Sequence, residues 1–202
     1  MVGSLSRVGV VGHRLDMLSA GAVEVLEKVF AEVCDELSQL ASVDERVLVS
    51  TLAEGASRIA AAAALDQGWS LEVLLPFSQP RYEEDFPRAD SIAEFQALLA
   101  RAQSVEALDG EGQAAPYAQL GRTLLTRIEF LLAVWNGAPK RGPGGTAEVI
   151  ENALAAGIPV LWISPDGASC RLLLPDHPIG SAALRLAAGR WPLGQLPSSA
   201  QG

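Results

Sequence analysis

The sequence has few of the residues that build metal sites and disulfide frameworks. Its 202 residues include two cysteines, Cys34 and Cys170, and two histidines. The cysteines lie far apart, without a CxxC partner or a neighbouring histidine cluster, so the sequence predicts neither a zinc site nor a disulfide framework. We therefore expect no metal and no cofactor, and we interpret both cysteines as small buried hydrophobic residues.

Basic residues and long apolar runs are scarce as well. The lysines and arginines number 15 against 24 acidic residues, which gives a formal net charge of −9. Affinity for a nucleic acid comes largely from basic side chains that neutralise phosphates, so this composition disfavours a nucleic acid as the partner, although a local basic pocket stays open. No segment approaches about 20 uninterrupted apolar residues, and the start of the chain leads directly into a strand pattern. We expect a cytoplasmic protein without a membrane partner.

Short apolar runs alternate with helical patterns along most of the chain. The runs predict strands at residues 7–11, 47–49, 71–75, 130–135 and 158–163, and the helical patterns cover residues 17–40, 54–65, 91–102, 117–128 and 146–156. Parallel neighbours need crossovers, which helices supply. The order predicts an α/β fold: a Rossmann-like three-layer sandwich with a mostly parallel sheet of about five or more strands and helices on both faces. We expect one domain over residues 1–190.

One segment interrupts this alternation. Residues 76–90 carry three prolines and many charges, which predicts an irregular excursion within a longer insert at about 76–116. Because the excursion follows a strand end, we expect it to act as a lid. A glycine-containing stretch at 109–113 leads into the next helix. The chain is rich in loops from residue 164 onward, and residues 191–202 are predicted to form a disordered tail.

Candidate ligand-binding residues follow the predicted strands, since open parallel sheets bind ligands at the carboxyl ends of their strands. Phe77 and Tyr82, together with Phe86 and Tyr117 in or near the insert, could stack on a base or simply pack. Glu54 and Arg58, at i,i+4 spacing, could instead be an ordinary exposed pair. His13 and Arg14 could be solvated loop residues. The candidates are Gly12, His13, Arg14, Ser50, Glu54, Gly55, Arg58, Pro76, Phe77, Tyr82, Trp135, Asn136, Gly137, Gly144, Gly145 and Thr146.

A glycine turn at residues 142–145 opens the last predicted helix. Glycines let backbone N–H groups approach an anion, and the helix dipole favours its negative charge, so the turn predicts a phosphate site. Neither GxGxxG nor GxxxxGK[ST] is present. The alternative is a plain turn capped by Thr146, with Glu148 complementing the dipole.

Four segments together resemble the SLOG superfamily, which joins Rossmannoid domains similar to DNA-processing protein A and to Lonely guy. They are VGVVGHR, VSTLAEGASRIAAAAAL, LPF with YEEDF, and AVWNG with GPGGTAEVIENALAAGIPVLWI, and they span residues 7–163. The resemblance implies a small nucleotide-derived ligand. It also implies a sensor or signalling role, with an effector encoded separately, or an enzyme that acts on such a ligand.

The Lonely-guy branch implies the enzyme alternative, a phosphoribohydrolase that cleaves the N-glycosidic bond of a nucleoside 5′-monophosphate. Glu148 and Arg58 would be its catalytic residues. The branch's loop reads PGGxGTxxE whereas this chain has PGGTAE, and Ser57 and Asn136 stand where aspartates are usual. A helix turns about 100° per residue, so the shorter loop re-aims the carboxylate, and we favour binding without turnover.

The predicted helix over residues 117–128 leaves the oligomeric state open. Its apolar face contains Leu124, Leu125 and Ile128. This face predicts either core packing or a homodimer interface, and core packing is the more common use of such a face.

Overall fold

The computed structural model describes residues 6–18, 21–39, 46–108, 115–139 and 142–173. The stretch at 109–113 and the predicted tail at 191–202 lie outside these residues. Within them, the chain builds one seven-stranded sheet in the order β4-β3-β2-β1-β5-β6-β7. The strands are β1 (Arg7–Gly12), β2 (Val47–Ser50), β3 (Ser70–Leu75), β4 (Ser104–Ala107), β5 (Phe130–Val134), β6 (Val160–Ile163) and β7 (Cys170–Leu173).

Strand pairing confirms the predicted fold class. Strands β1 to β6 all run parallel to one another. Strand β7 pairs with β6 in the antiparallel direction. The five predicted strands are present. The sequence did not predict β4 and β7, which occupy the two edges of the sheet. The sequence predicts loops from residue 164 onward, whereas the structure has a strand at Cys170–Leu173.

Helices cover both faces of the sheet. The helices are α1 (Ala22–Ser38), α2 (Ala56–Asp66), α3 (Gln79–Glu83), α4 (Ala89–Ala100), α5 (Pro116–Leu125) and α6 (Thr146–Ala155), with a short 3₁₀ turn at Leu15–Met17. One core cluster joins the sheet to α1, α2, α3 and α4, and a second joins the opposite face to α5 and α6. The three-layer arrangement is the one that the alternation predicts.

Strand β5 shows how the sequence builds two cores at once. Phe130, Leu132 and Val134 lie in the first cluster, whereas Leu131 and Ala133 lie in the second. Successive side chains of a strand point to opposite faces, so a central strand buried on both faces is apolar throughout. On α5 and just after it, Leu124 and Ile128 are buried in the second cluster and Leu125 packs against it. The face that left a homodimer open is thus a core face.

The excursion at residues 76–90 is not irregular, and that expectation was wrong. It contains α3 and the first residues of α4, and Tyr82 and Phe86 are 1% and 5% exposed. These two residues are four apart and their rings pack edge to face 5.0 Å apart, with Phe95 of α4 against both. The excursion therefore adds an aromatic cluster to the core, and its packing does not favour a lid.

Candidate functional site

A cavity of about 390 Å³ opens at the carboxyl edge of the sheet. Several residues predicted from the strand ends line it: Gly12, His13, Arg14, Tyr82, Trp135, Asn136, Gly144, Gly145 and Thr146. The other candidates do not line it: Ser50, Glu54, Gly55, Arg58, Pro76, Phe77, Gly137 and Glu148. The topology argument thus brings one group of candidates together and leaves a second group in the surrounding structure.

One wall of the cavity comes from α5, through Tyr117, Leu120, Gly121 and Leu124. Of these residues, the sequence predicts only Tyr117 as a candidate for base stacking. A Cβ atom at Gly121 would lie 2.9 Å from a methyl group of Val149, so the glycine lets α5 approach α6 closely. For Leu120, Gly121 and Leu124, the signal in the sequence was the apolar face of α5, and it predicts core packing as readily as a ligand wall.

The turn after β1 is tied to the turn after β5 through His13. The backbone N–H of His13 donates to the carbonyl of Val134 at 3.1 Å, and the N–H of Asn136 donates to Nε2 of His13 at 3.0 Å. A ring nitrogen that accepts carries no proton, so the remaining proton of the neutral imidazole is on Nδ1. His13 is 9% exposed and lines the cavity, which gives the wall one imidazole N–H donor.

Gly55 locks the same turn to the start of α2. Its φ is +91°, and a Cβ atom there would lie 2.6 Å from the carbonyl oxygen of His13 and 2.7 Å from the nitrogen of Leu15. The next residue, Ala56, donates its N–H to the His13 carbonyl at 3.2 Å. Gly55 therefore acts through backbone contact beside the cavity, and only a glycine allows that approach.

Two tyrosines and Arg14 form the polar part of the wall. The hydroxyl of Tyr82 is hydrogen-bonded to Thr51, and that of Tyr117 donates to a carboxylate oxygen of Asp85. Burial raises the pKa of Tyr82 to about 12, and burial together with the Asp85 bond raises the pKa of Tyr117. The positive charge of Arg14 opposes both pKa shifts, so its guanidinium lies within electrostatic reach of both phenols. Arg14 is exposed and forms no ion pair within the described ranges.

The glycine turn approaches α5 by backbone contact. Gly144 has φ +81°, and a Cβ atom there would lie 2.5 Å from the carbonyl carbon of Tyr117. Its N–H donates to Oε2 of Glu148 at 3.0 Å. Gly145, not Thr146, is the N-cap of α6, so the cap residue supplies no side-chain hydrogen bond. Glu148 in the first turn of α6 satisfies the amide of Gly144, the residue before the N-cap.

The first turn of α6 faces the cavity. Gly145, Thr146 and Ala147 all line it. Backbone N–H groups at the start of a helix have no partner inside the helix, and the helix dipole makes this end favourable for negative charge. The arrangement can therefore accept an anionic group beside Arg14 and His13.

Trp135 contributes apolar surface to the opposite wall. Its indole N–H donates to the carbonyl of Ala138 at 3.0 Å, and its own carbonyl accepts the indole N–H of Trp162 at 2.6 Å. The first bond orients the partly buried indole of Trp135, and the second holds its backbone. The cavity thus combines an aromatic wall with a polar end.

Arg58 lies outside the cavity wall and contradicts the expectation of an exposed pair with Glu54. It is 1% exposed, and its Nη1 donates to the carbonyl and hydroxyl of Ser91 and to Glu94. Glu54 instead accepts a hydrogen bond from the Ser91 hydroxyl. The i,i+4 spacing of Glu54 and Arg58 did not predict this, because Glu54 precedes the helix that contains Arg58.

Two further observations limit the chemistry. Among residues of the described ranges, no cluster of three or more His, Cys, Asp or Glu side chains could hold a metal ion. In the same ranges no helix has the length and apolarity needed to cross a membrane. Cys34 is buried as expected, and burial raises the pKa of its thiol to about 12, whereas Cys170 is only partly buried.

Comparisons with known proteins identify the fold. No family model and no curated protein matches the sequence. The structure is similar to DNA processing protein A from Streptococcus pneumoniae, with a TM-score of 0.53, 21% identity, and coverage of 79% of this chain and 50% of that one. It is also similar to DNA processing protein A from Helicobacter pylori, a single-stranded DNA binder, with a TM-score of 0.56, 14% identity, and coverage of 91% and 73%.

The likeness at these identities concerns the fold. The chain spans about half the length of the S. pneumoniae protein. Because the H. pylori protein binds single-stranded DNA, the comparison does not support the expectation that nucleic acids are disfavoured as partners. The chain has the fold of these two proteins, as its resemblance to domains similar to DNA-processing protein A implies.

Proposed function

We propose that the protein binds a nucleotide-derived ligand in the cavity at the carboxyl edge of its sheet, and that it does so as a sensor or signalling domain. The observation that carries this proposal is the convergence of Arg14 and the first turn of α6 on one cavity. The cation has no ion-pair partner in the described part of the chain, and the helix start favours negative charge. A phosphate is the group that suits both.

Magnitudes indicate that the phosphate contacts need help from the aromatic wall. A helix terminus contributes roughly 0.3–2 kcal/mol towards a negative charge and a charge-assisted hydrogen bond about 1.5–3 kcal/mol, whereas micromolar affinity needs about 8 kcal/mol. A base that buries about 150 Å² of apolar surface gains roughly 4 kcal/mol at 25 cal/mol per Å². Tyr117, Leu120 and Trp135 provide such surface in the cavity. A nucleotide, rather than inorganic phosphate, is therefore the ligand class we propose.

The contacts of Glu148 and Arg58 favour binding over hydrolysis. A general acid or base must reach the reacting atoms, yet neither residue lines the cavity. Glu148 accepts the N–H of Gly144, and Arg58 is buried against Ser91 and Glu94. The phosphoribohydrolase alternative thus has no contact in its favour.

A thermal-shift screen tests the proposal, with AMP, CMP, cyclic and dinucleotides, and a single-stranded DNA oligonucleotide as probes. At a hundredfold excess over Kd, a ligand adds about 2.7 kcal/mol of stability. That corresponds to a rise in Tm of roughly 5–11 °C for a chain of this size. A rise with at least one of these nucleotides is the expected result, and no rise with any of them would refute the proposal. A rise with DNA alone would instead favour a nucleic acid as the partner.

Gly145→Asp tests the anion site, with Gly142→Asp as the matched control. Gly145 has φ −74°, and a Cβ atom there would have Gly142 O as its nearest neighbour, at 3.6 Å, so the backbone accepts the substitution. The new carboxylate would stand beside the bound phosphate and weaken binding. Gly142 does not line the cavity and has open space around it. Equal affinities of the two variants would refute the anion-site assignment.

A further inference from the structure

Arg58 connects three parts of the structure beside the cavity. Its Nε donates to the carbonyl of Leu52 at 3.0 Å, and its Nη1 donates to the carbonyl of Ser91 at 2.7 Å and to Oε2 of Glu94 at 3.0 Å. Its guanidinium lies 4.3 Å from the ring centre of Phe86. One side chain of α2 thus joins the loop after β2 to the start of α4 and to the aromatic cluster.

The loop after β2 has a backbone conformation that needs support. Leu52 is fully buried with φ +50°, and it is the one non-glycine residue of the described ranges with positive φ. Such a residue persists only where its surroundings hold it, and these residues cluster at functional sites. Here the Ser50 hydroxyl accepts the N–H of Leu52 at 3.1 Å, and Arg58 holds its carbonyl. Hydrogen bonds therefore hold both backbone polar groups of Leu52, its N–H and its carbonyl.

Leu52 lies between two residues of the cavity wall. Thr51 and Ala53 both line the cavity, and Thr51 is also hydrogen-bonded to the cavity residue Tyr82. A change in the backbone at Leu52 would move both neighbours. The conformation of Leu52 therefore sets the shape of this wall.

The contacts of Arg58 differ from those of an ion pair whose main role is to stabilise the fold. Its carboxylate partner Glu94 is 55% exposed, while the arginine is 1% exposed and its Nη2 has no hydrogen-bond partner. Buried ion pairs are costly, and apolar residues of similar volume often replace a whole pair without loss of stability. What an apolar residue cannot supply is a donor to Leu52 and a donor to Ser91 at once. A planar guanidinium provides both in a fixed geometry, and a lysine does not.

We propose that Arg58 is a positioning residue, which holds the loop Thr51–Ala53 in the shape of the cavity wall and couples that wall to the start of α4. The ligand part of this inference rests on the proposed function. Arg58 contacts no ligand in this arrangement, in contrast to the role that the sequence resemblance implies for it.

The test compares Arg58→Met with Arg101→Met. Arg101 follows α4 and pairs with Asp66 at the end of α2, so it bridges the same two helices at their opposite ends. Two quantities are measured on the full chain: amide hydrogen exchange along the sequence, and the affinity for AMP. Ser91→Ala, which removes only one acceptor of Arg58, is the milder second variant in case the methionine variant does not fold.

We expect Arg58→Met to raise amide exchange in residues 50–56 by about tenfold while β1 and β5 keep their protection, and to weaken AMP binding by a similar factor. Ser91→Ala should produce the same pattern more weakly, and Arg101→Met should produce neither effect. Unchanged exchange in residues 50–56, or exchange raised uniformly along the chain, would overturn the proposal. So would a loosened loop with unchanged AMP affinity. Should the wild-type protein bind no nucleotide, the proposed function fails, while the exchange pattern still decides whether Arg58 holds the loop.

Discussion

Replacing Gly55 by alanine should damage the protein more than replacing a second glycine that also has a positive φ. Gly55 has φ +91° and Gly157 has φ +80°. Both substitutions place a side chain at positive φ, at a cost of about 1–2 kcal/mol each, and the ψ of −128° at Gly55 lies outside the left-handed helical region and adds to its cost. The surroundings differ, because a Cβ atom at Gly157 meets nothing within 4 Å, whereas at Gly55 it meets backbone atoms of His13, Arg14 and Leu15 at 2.6–2.8 Å.

The difference between the two variants reports the backbone contact of Gly55 together with its more restricted ψ. Backbone atoms cannot rotate away as a side chain can, so Gly55→Ala must displace the turn after β1. Overpacking of this kind costs about 1–3 kcal/mol beyond the shared conformational cost. At roughly 2–4 °C per kcal/mol, Gly55→Ala should melt roughly 2–12 °C below Gly157→Ala.

Urea unfolding and calorimetry of both variants measure this difference. The displaced turn carries His13 and Arg14, which line the cavity. Gly55→Ala should therefore also weaken AMP binding, whereas Gly157→Ala should leave the affinity unchanged once both proteins are folded. Equal stabilities of the two variants would refute the steric argument, and equal affinities would show that the turn does not shape the cavity.

Three further predictions concern single side chains. Glu148→Gln should keep AMP affinity or improve it, since an amide oxygen can still accept the N–H of Gly144 while the negative charge is lost. If the wild type releases base from AMP and this variant does not, catalysis is established instead. His13→Ala should cost about 1–3 kcal/mol in urea unfolding, because the Asn136 N–H loses its acceptor, and a loss below about 0.5 kcal/mol would contradict this role. Cys34 should resist alkylation at pH 8 until urea unfolds the chain, because burial raises the pKa of its thiol to about 12. The stability that the buried neutral thiol contributes is present below the unfolded pKa near 9 and is lost as pH rises towards 12, so a Cys34→Ala variant should lose less stability over that range.

The central part of the fold could be predicted because its signals are local. Strand β5 is a run of five buried apolar residues, and such a run between turns is typical of a central parallel strand. Strand β4 has all four residues exposed, and its sequence SVEA contains no apolar run. Strand β7 is only partly buried. Edge strands gain their conformation from one neighbour in space, which no local pattern records.

The insert shows a different kind of error. Its prolines and charges predict an irregular loop, and one of the prolines, Pro80, lies in the first turn of the short helix α3. The informative signal was the pair of aromatic residues Tyr82 and Phe86, whose rings pack on each other although Phe86 lies beyond the end of α3. Long-range packing on Phe95 turned this segment into core.

The candidate site was predicted from topology more than from motifs. The rule that ligands bind at strand ends selects the turns that carry His13 and Asn136, and these turns meet at the cavity. This rule does not determine which side of a helix start faces the ligand. It therefore predicts Arg58 at the cavity, whereas the side chain packs between α2 and α4. The rule also does not select α5, which contributes residues to the cavity from the face of the sheet that α5 and α6 cover.

The indole of Trp135 gives this cavity an optical signal of its own. Its ring lies in the wall, and its N–H is held by the Ala138 carbonyl, so a base that stacks there would change its emission without any attached dye. Trp69 is buried in the first core cluster and does not line the cavity, and its emission reports unfolding instead. Trp162 and Trp191 also contribute to the emission, so the difference between the spectra of the wild type and of a Trp135→Phe variant gives the Trp135 signal. Occupancy and folding can thus be followed in one sample.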